Sequence, residues 1–360
     1  MKVIYFYNSN WYGGVNTVLS SLFEYNFFSP ELETVFVLCY RGQLSSELEK
    51  RGAKVEIVPA PQVGKPWTLL PAWIQLIRIL KKHQAEIVVS HEIESHALAW
   101  PVLQFLPVKK VLWIHSSGLR LRSGFYKKLR SKMPDFAICG SRHVEEEVKQ
   151  LWPDMKSDFL YPPYTRSFIE RKTVKQEAIS FIYVGRMVEY KGLADIIEAL
   201  GKIRKLPFRF IVVGGSERKT EKKYQEKNRE RAQELGIGDK VEFVGYEENV
   251  SDYLTSADVF VHPNRLPEPF GLVFIEALLA GTPIVATSIG GAKEILEQQA
   301  LKMGDLVPPN DVEALAAVLK KHIEDEGYRL ELSQNIKEGF VNICDPEKSM
   351  KRLATLLKLA

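Results

Sequence analysis

The chain has 360 residues, of which 45% are hydrophobic and 26% are charged, a composition typical of soluble globular proteins and long enough for two domains. No uncharged apolar run reaches the roughly 18 residues of a membrane span, and the first apolar run is too short for a signal-peptide core. Cys39, Cys139 and Cys344 are far apart and form no CxxC pair, so that neither a disulfide framework nor a zinc site is indicated. We therefore expect a cytoplasmic protein.

The formal net charge of +4 is unevenly distributed along the chain. Residues 1–165 carry 20 Lys and Arg against 15 Asp and Glu, whereas the remainder carries 29 against 30. Residues 95–134 contain no acid, and their eight bases are Lys109, Lys110, Arg120, Arg122, Lys127, Lys128, Arg130 and Lys132. This excess predicts an anionic partner for the first half, with scattered solvated charge as the alternative. Residues 216–236 mix both signs almost without aromatic residues, which favours a solvated helix over a nucleic-acid site.

In chain order, the first half alternates short apolar runs with longer amphipathic runs. Strands are predicted at KVIYFYN, TVFVLCY, KVEIVP, EIVVSH, KKVLWIH, DFAICG and DFLYP, and helices lie between them, for example at TLLPAWIQLIRILKKH and SRHVEEEVKQLW. Apolar strands that alternate with helices indicate a parallel sheet covered on both faces. The pattern stops at residues 161–178, where two prolines and a charged run indicate a linker.

The alternation then restarts, with strands predicted at AISFIYVG, FRFIVVGG, KVEFVGY, DVFVHP and TPIVATS. We therefore predict an α/β fold with two Rossmann-like doubly wound parallel-sheet domains that face a cleft. Ligands are expected at the carboxyl ends of the strands. The predicted domains span residues 1–165 and 166–345, and a C-terminal helix over 346–360 is expected to pack back toward the first domain.

Two glutamates frame the start of one helix in the second half. Glu268 lies in a proline-bounded loop, and Glu276 interrupts an apolar helix predicted from Gly271 to Ala280. The first turn, at residues 270–273, leaves backbone N–H groups unpaired, and such a terminus favours an anion. An ionised Glu276 offers only acceptor sites, which suits a ribose diol beside a phosphate. The alternative is that Glu276 caps a neighbouring backbone group.

Two cations follow the first strand of the second domain. Gly185 ends that strand, Arg186 and Lys191 flank a short loop, and Gly192 opens a helix. A guanidinium fork and a point charge at this edge can together neutralise a diphosphate, with solvated loop charge as the alternative. Because the sequence contains no DxD pair, these cations and the helix terminus would replace Mg²⁺, and we expect no metal.

In the first domain, candidate residues also stand at strand ends. Gly13 and Gly14 follow the first strand, where the missing side chains allow a ligand to approach the backbone. They form no GxGxxG motif, so a nicotinamide cofactor is not predicted. His91 and His115 each end a strand, and a single histidine at such a place is usually structural.

These motifs occur in a familiar order. They are GGVNTVL, WIHSS, YVGRMVEYKGLADIIEAL, FVGY before SADVFVHP, EPFGLVFIEALLAGTPIVATSIGGAKEIL and GDLVPPNDVEALA, and they extend over essentially the whole chain. The chain resembles a retaining glycosyltransferase of the two-domain GT-B type, similar to glycosyltransferase family 4. Glu268 and Glu276 match the E-x7-E signature of that family.

The resemblance implies retaining, metal-independent transfer of a hexose-type sugar from a nucleoside diphosphate sugar, with UDP- and GDP-sugars foremost and no cofactor. The acceptor would be a lipid-linked or cell-envelope glycan, with residues 1–165 on the acceptor side and residues 166–345 on the donor side. The implied catalytic residues are His115, beside the reacting face of the sugar, and Glu268, at the transferred sugar. The implied donor-binding residues are Gly13, Gly14, Arg186, Lys191, Tyr246, Phe270, Gly271, Leu272, Val273 and Glu276.

Two departures concern the acceptor side. Family members often carry Glu where this chain has Asn16, and an acid where it has Ser116. The nucleotide base, the sugar and the acceptor therefore stay open. A sugar-nucleotide isomerase or epimerase of the same fold, or a non-catalytic sugar-nucleotide-binding module, is the alternative. The basic stretch from Lys109 to Lys132 further predicts peripheral attachment to an anionic membrane on its cytoplasmic face, with binding of an anionic soluble acceptor, or of nothing, as the alternative.

Overall fold

The computed structural model describes residues 1–9, 13–60, 65–117, 133–165, 178–215, 218–247 and 249–360. The chain divides into two compact units, of which the first comprises Met1–Tyr164 with Cys344–Ala360 and the second comprises Thr165–Ile343. Most of the predicted linker, residues 166–177, lies outside the described residues.

Strands and helices alternate along both units. The strands are β1 (Lys2–Tyr7), β2 (Glu33–Leu38), β3 (Val55–Ile57), β4 (Ile87–His91), β5 (Lys109–Ile114), β6 (Phe136–Cys139), β7 (Ser157–Phe159), β8 (Ile179–Val184), β9 (Phe208–Val213), β10 (Val241–Gly245), β11 (Val259–His262), β12 (Ile284–Thr287) and β13 (Gly304–Val307). The helices are α1 (Gly14–Glu24), α2 (Gln43–Lys50), α3 (Leu69–Lys82), α4 (Ile93–Leu103), α5 (Arg142–Leu151), α6 (Leu193–Lys202), α7 (Lys219–Glu234), α8 (Ser251–Ser256), α9 (Leu272–Leu279), α10 (Gly290–Glu297), α11 (Val312–Glu324), α12 (Glu326–Gly339) and α13 (Pro346–Leu359).

Each unit contains one parallel sheet. In the described residues the first sheet has seven strands in the order β3-β2-β1-β4-β5-β6-β7, and the second has six in the order β10-β9-β8-β11-β12-β13. The strand order of each sheet changes direction at a topological switch point, between β1 and β4 in the first sheet and between β8 and β11 in the second. Ligands of such folds bind at the carboxyl ends of the strands at these points. The predicted doubly wound α/β class is therefore confirmed.

One strand, β13, was not predicted from the sequence. β13 pairs in parallel with β12 at the edge of the second sheet. Its sequence GDLV is four residues long and contains Asp305, so that it lacks the continuous apolar run that marks the buried strands. Asp305 instead accepts hydrogen bonds from Tyr328 and pairs with His322 across α11 and α12.

The C-terminal helix α13 belongs to the first unit. Its Arg352 guanidinium donates to the Asp158 carboxylate at 2.7 Å and to the Phe159 carbonyl at 3.1 Å. The Lys358 carbonyl accepts from the Lys109 ammonium at 3.3 Å. These contacts tie α13 to β5 and β7.

The starts of the helices fall into two groups. α5 and α11 begin at Ser141 and Asp311, whose side chains accept backbone N–H groups of the first turn. By contrast, α1, α6 and α9 follow the central strands β1, β8 and β11 and begin at Gly13, Gly192 and Gly271, with no side-chain cap. In the first turn of α6 the Ala194 N–H donates to the Tyr224 hydroxyl at 3.2 Å. The starts of α1 and α9 have no side-chain cap, which favours anion binding there.

Candidate active site

The carboxyl edge of the second sheet is built from closely packed backbone. The Gly214 N–H, just after β9, donates to the Gly245 carbonyl at 2.7 Å. Gly214 has a φ of 149°, and a Cβ at this position would lie 1.9 Å from the Gly185 carbonyl oxygen. Only glycine fits such an approach, so the backbones that follow β8 and β9 pack directly against each other. Tyr246 follows β10 at the same edge and is 61% exposed.

Arg186 is held at this edge by two neighbours. Its guanidinium donates to the Tyr190 hydroxyl at 2.9 Å and lies 3.8 Å from the carboxylate of Glu221, which is nearly buried. The Tyr183 hydroxyl donates to the Arg186 carbonyl at 2.9 Å, which fixes the backbone as well. Half of the Arg186 side chain nevertheless remains exposed, at 51%, and can meet an anion from solvent.

Lys191 and Glu268 form an ion pair. The Lys191 Nζ lies 3.3 Å from the Glu268 Oε2, and the two side chains are only 12% and 19% exposed. The structure thus brings together two residues that the sequence placed on separate motifs. Because water is largely excluded, each charge depends on the other for compensation.

The Glu268 loop is fixed by the start of α10. The Gly291 N–H donates to the Glu268 carbonyl at 2.9 Å. A Cβ on Gly291 would lie 1.8 Å from the Phe270 carbonyl oxygen, so that any other residue would push the loop away. The pair Gly290–Gly291 therefore sets the position of Glu268, a role that sequence reasoning missed.

Helix α9 begins at Leu272, one residue later than its predicted start at Gly271. Gly271 has a φ of 85° and is the N-cap, so that Phe270 precedes the helix and is 6% exposed. The first helical amides, at Leu272 and Val273, have no acceptor within the helix. The first turn contains no acid and no side-chain cap, and Glu276 lies one turn further along, partly exposed. A free helix start and a carboxylate thus share one end of α9.

A buried histidine and a bidentate ion pair support these loops, and neither was predicted. His262 ends β11 with no exposure and stacks on Tyr183 with ring centroids 5.0 Å apart. Burial, together with nearby Lys191, lowers the pKa of His262 well below its usual value. The Arg265 guanidinium holds the Asp195 carboxylate at 2.8 and 2.7 Å and so ties the loop after β11 to the start of α6.

In the first unit, His115 follows β5 and belongs to a stack of rings. Its Nε2 lies 2.9 Å from the His91 Nδ1, and the two rings are parallel within 7° at a centroid distance of 5.1 Å. Trp113 stacks on both. Burial lowers the pKa of His115 to about 3. Both imidazoles are therefore uncharged near neutral pH, and one ring nitrogen donates to the other.

A carboxylate stands beside this stack, although no acid follows His115 in sequence. The Ser116 hydroxyl donates to the Glu92 carboxylate at 2.8 Å. Glu92 has a φ of 73° and a ψ of 154°, a region that is nearly restricted to glycine. Its N–H donates to the Trp113 carbonyl at 2.9 Å and its carbonyl accepts from the His96 N–H at 3.1 Å, so that the backbone is firmly held. The Glu92 carboxylate thus lies beside the Ser116 side chain.

The other positions of interest in the first unit lie around α1. Gly13 and Gly14 are exposed, and a Cβ on either would meet nothing within 4 Å. Gly13 is extended at a φ of −177°, which any residue adopts. Packing therefore does not require glycine at either position. Asn16 is buried on α1, at 3% exposure.

The basic stretch is described only in part. Lys110 pairs with the Asp135 carboxylate at 3.2 Å, and Lys109 binds the carbonyl of Lys358. Both lie at the amino end of β5, and residues 118–132, with the other six bases, lie outside the described residues. In the part of the chain that is described, no helix is long and apolar enough to cross a membrane. Within that same part, no group of three or more His, Cys, Asp or Glu side chains could hold a metal ion.

Comparisons with known proteins match both halves of the chain. Residues 31–161 match the family described as Glycosyltransferase Family 4, and residues 165–339 match Glycosyl transferases group 1. An uncharacterized glycosyltransferase of Methanocaldococcus jannaschii is 30% identical over 309 residues, which are 78% of this chain and 77% of that protein. The lipopolysaccharide core biosynthesis glycosyltransferase LpsD of Rhizobium meliloti is 28% identical over 272 residues, 71% of this chain and 70% of LpsD.

Solved structures agree on the fold. Anabaena HepE superposes with TM-scores of 0.83 in complex with UDP and glucose and 0.82 in complex with UDP-glucose, at 19% identity and over 100% of both chains. At this identity the likeness shows the two-domain fold. Together with the sequence matches, it shows that the chain belongs to the GT-B glycosyltransferases related to glycosyltransferase family 4.

Proposed function

We propose that this glycosyltransferase moves a hexose-type sugar from a nucleoside diphosphate sugar to a glycan acceptor, with retention of configuration and without a metal ion. The observation that carries the proposal is the grouping of Arg186, the Lys191–Glu268 pair and the uncapped start of α9 in one unit. This grouping offers two cations and free N–H groups to a diphosphate, which is the charge that leaves when the sugar is transferred.

Each residue of the second unit then has a distinct role. Arg186 and Lys191 neutralise the diphosphate, and their contribution grows as negative charge develops on the leaving group. The amides of the first turn of α9, with Phe270 and Gly271 before it, contact the phosphate and the sugar hydroxyls. Glu276 accepts hydrogen bonds from the ribose diol, and Tyr246 lies at the base through its backbone.

Glu268 is proposed to have two partners. In the structure its carboxylate lies 3.3 Å from the Lys191 ammonium. When a diphosphate binds, Lys191 gains a second anion, and the Glu268 carboxylate is released in part to accept hydrogen bonds from the transferred sugar. The pair therefore holds the mostly buried Lys191 side chain in place for the donor.

The first unit is proposed to serve the acceptor side. Uncharged His115 would exchange hydrogen bonds with sugar or acceptor hydroxyls rather than donate a proton as an imidazolium, because its pKa is lowered to about 3. Gly13 and Gly14 are instead proposed to contact the donor, and neither carries a side chain at the start of α1. No nucleophile is invoked, since the leaving phosphate can assist attack on the same face and the protein supplies positioning and charge.

The comparisons support a more specific donor and acceptor. HepE was solved with UDP and with UDP-glucose, so a UDP-sugar is the first donor to test, with GDP-sugars next. LpsD acts in lipopolysaccharide core biosynthesis, which supports a lipid-linked or cell-envelope glycan as acceptor. The three free cysteines are buried thiols, as expected of a cytoplasmic enzyme, and we propose that it acts at the cytoplasmic face of a membrane.

A thermal-shift panel of UDP-, GDP-, ADP- and dTDP-sugars in EDTA tests the donor proposal. Near-saturation, at about 100 times Kd, adds about 2.7 kcal/mol to the free energy of unfolding, which raises the midpoint by roughly 5–10 °C. A shift with one sugar nucleotide and none with the others supports the proposal. Conversion of that donor without any acceptor would instead reveal an isomerase, and binding without turnover would indicate a non-catalytic module.

The basic stretch is tested separately. We propose that Lys109 to Lys132 attracts anionic lipid, since each base near such a surface contributes about 1 kcal/mol. Changing Lys127, Lys128, Arg130 and Lys132 to Gln should reduce co-sedimentation with phosphatidylglycerol vesicles at low salt. Equal sedimentation of this variant and the wild type would remove the stretch from membrane binding.

A further inference from the structure

An apolar stripe lies on the outer face of α3. Trp67, in the short 3-10 turn before the helix, is 70% exposed, Leu70 is 60% exposed and Ile74 is 42% exposed. Their spacing of three and four residues places them on one side of the helix. The opposite side carries the buried residues of α3, which are Ala72, Leu76, Ile79 and Leu80. The stripe therefore faces away from the core, where a water-exposed helix normally carries polar residues.

The same face becomes basic further along the helix. Arg78 and Lys81 continue the spacing by one and two turns and are exposed. The face is thus apolar over the first half of α3 and cationic over the second. Such a combination, with tryptophan at the apolar end, is typical of helices that lie at a membrane interface.

We propose that this stripe docks the first unit on an anionic phospholipid surface. Even at roughly 250 Å² for each of the three apolar side chains, their exposed fractions amount to only about 430 Å². That is about half of the ~800 Å² that each partner buries in a standard protein interface. A lipid surface needs no matching partner, since a shallow apolar insertion with bases over the headgroups suffices.

The apolar stripe lies near the carboxyl edge of the first sheet. α3 connects β3 to β4 in a parallel sheet, so it runs against the strands and begins at their carboxyl edge. His115 and Glu92 follow β5 and β4 at that same edge. Docking through Trp67 and Leu70 brings this edge toward the lipid, where a lipid-linked acceptor would lie. This use rests on the proposed function, whereas the docking itself does not.

Co-sedimentation of the full chain without nucleotide tests the docking. The vesicles are phosphatidylcholine alone, or phosphatidylcholine with about one quarter phosphatidylglycerol. Trp67→Ser and Leu70→Ser should each lower the partition coefficient on the mixed vesicles about tenfold. Arg78→Gln combined with Lys81→Gln should lower it about fivefold for each base removed. The effect of removing the bases should disappear at high salt. The matched control is Phe105→Ser, since Phe105 is 80% exposed but follows α4 at the opposite edge of the sheet, and it should not change binding.

The outcomes separate the possible occupants. The inference is overturned if the wild type ignores the mixed vesicles at low salt, or if Phe105→Ser weakens binding as much as Trp67→Ser. It is also overturned if only the basic-stretch variant loses binding, or if the free chain is a dimer that Leu70→Ser dissociates. Equal melting temperatures show that the variants fold. Because nucleotide is absent, failure here leaves the thermal-shift result untouched.

Discussion

The Lys191–Glu268 ion pair should be strongly coupled in the free energy of unfolding, and a double-mutant cycle measures this. Breaking a fully buried pair costs about 3–5 kcal/mol. With side chains 12% and 19% exposed, we expect about 2–3 kcal/mol for Lys191→Met, which strands the carboxylate. Glu268→Gln should cost about 1 kcal/mol, because the amide oxygen still accepts from the ammonium. The double variant should cost about 1–2 kcal/mol less than the sum of the single variants.

A second pair in the same unit provides the control. Lys202 and Glu313 are closer, at 2.6 Å, but their side chains are 44% and 79% exposed. Exposed pairs typically contribute only about 0.2–1 kcal/mol. The cycle with Lys202→Met and Glu313→Gln should therefore give a coupling energy near the lower end of that range. Urea unfolding followed by circular dichroism yields both couplings. The reasoning fails if the Lys191–Glu268 variants are additive, or if the exposed pair couples as strongly as the buried one.

Four further outcomes are expected. Glu276→Gln should weaken nucleotide binding roughly 10- to 100-fold in calorimetric titration without changing stability, since a hydrogen bond to a charged group contributes about 1.5–3 kcal/mol; unchanged affinity removes Glu276 from the site. Turnover should survive EDTA, and Arg186→Ala should lower it even at saturating donor; loss of activity on chelation that Mg²⁺ or Mn²⁺ restores would show that the diphosphate assignment is wrong. Glu92→Gly should be more stable than Glu92→Ala by about 1–2 kcal/mol in urea unfolding, because a φ of 73° with a ψ of 154° favours glycine; greater stability of the alanine variant would contradict the strain. Finally, the unfolded chain binds more protons than the folded chain between the pKa of about 3 for folded His115 and an unfolded value near 6.5. Stability should therefore fall as pH falls below about 6.5, and His115→Asn should remove up to ~1.4 kcal/mol per pH unit of that slope; an unchanged slope would show that His115 is not held uncharged.

The parallel-sheet class could be predicted because it depends on local pattern. Apolar runs between amphipathic helices predict parallel strands, and both sheets have them. β13 was missed because Asp305 breaks its apolar run, and its place in the sheet depends on pairing with β12. The start of α9 moved by one residue because the left-handed backbone of Gly271 comes before the first turn.

Some features of the site could likewise be predicted from the sequence and others could not. Arg186 and Lys191 could be placed at the sheet edge because they follow a strand directly. The contact of Lys191 with Glu268 could not be predicted, since it depends on the approach of Gly291 to a distant loop. Glu92 likewise reaches Ser116 only because adjacent strands β4 and β5 end side by side. A single sequence records strand ends but not which side chains meet across them.

We expect the second unit to bind a nucleoside diphosphate through Arg186, Lys191 and the start of α9. Calorimetric titration of UDP in EDTA, with the wild type and the Arg186→Ala and Lys191→Met variants, tests it most directly, and GDP is titrated in the same way if UDP gives no signal. We expect saturable, metal-free binding that each variant weakens at least about tenfold, because each removes a charge-assisted contact to phosphate. Absence of saturable binding by both nucleotides, or wild-type affinity in both variants, would contradict it.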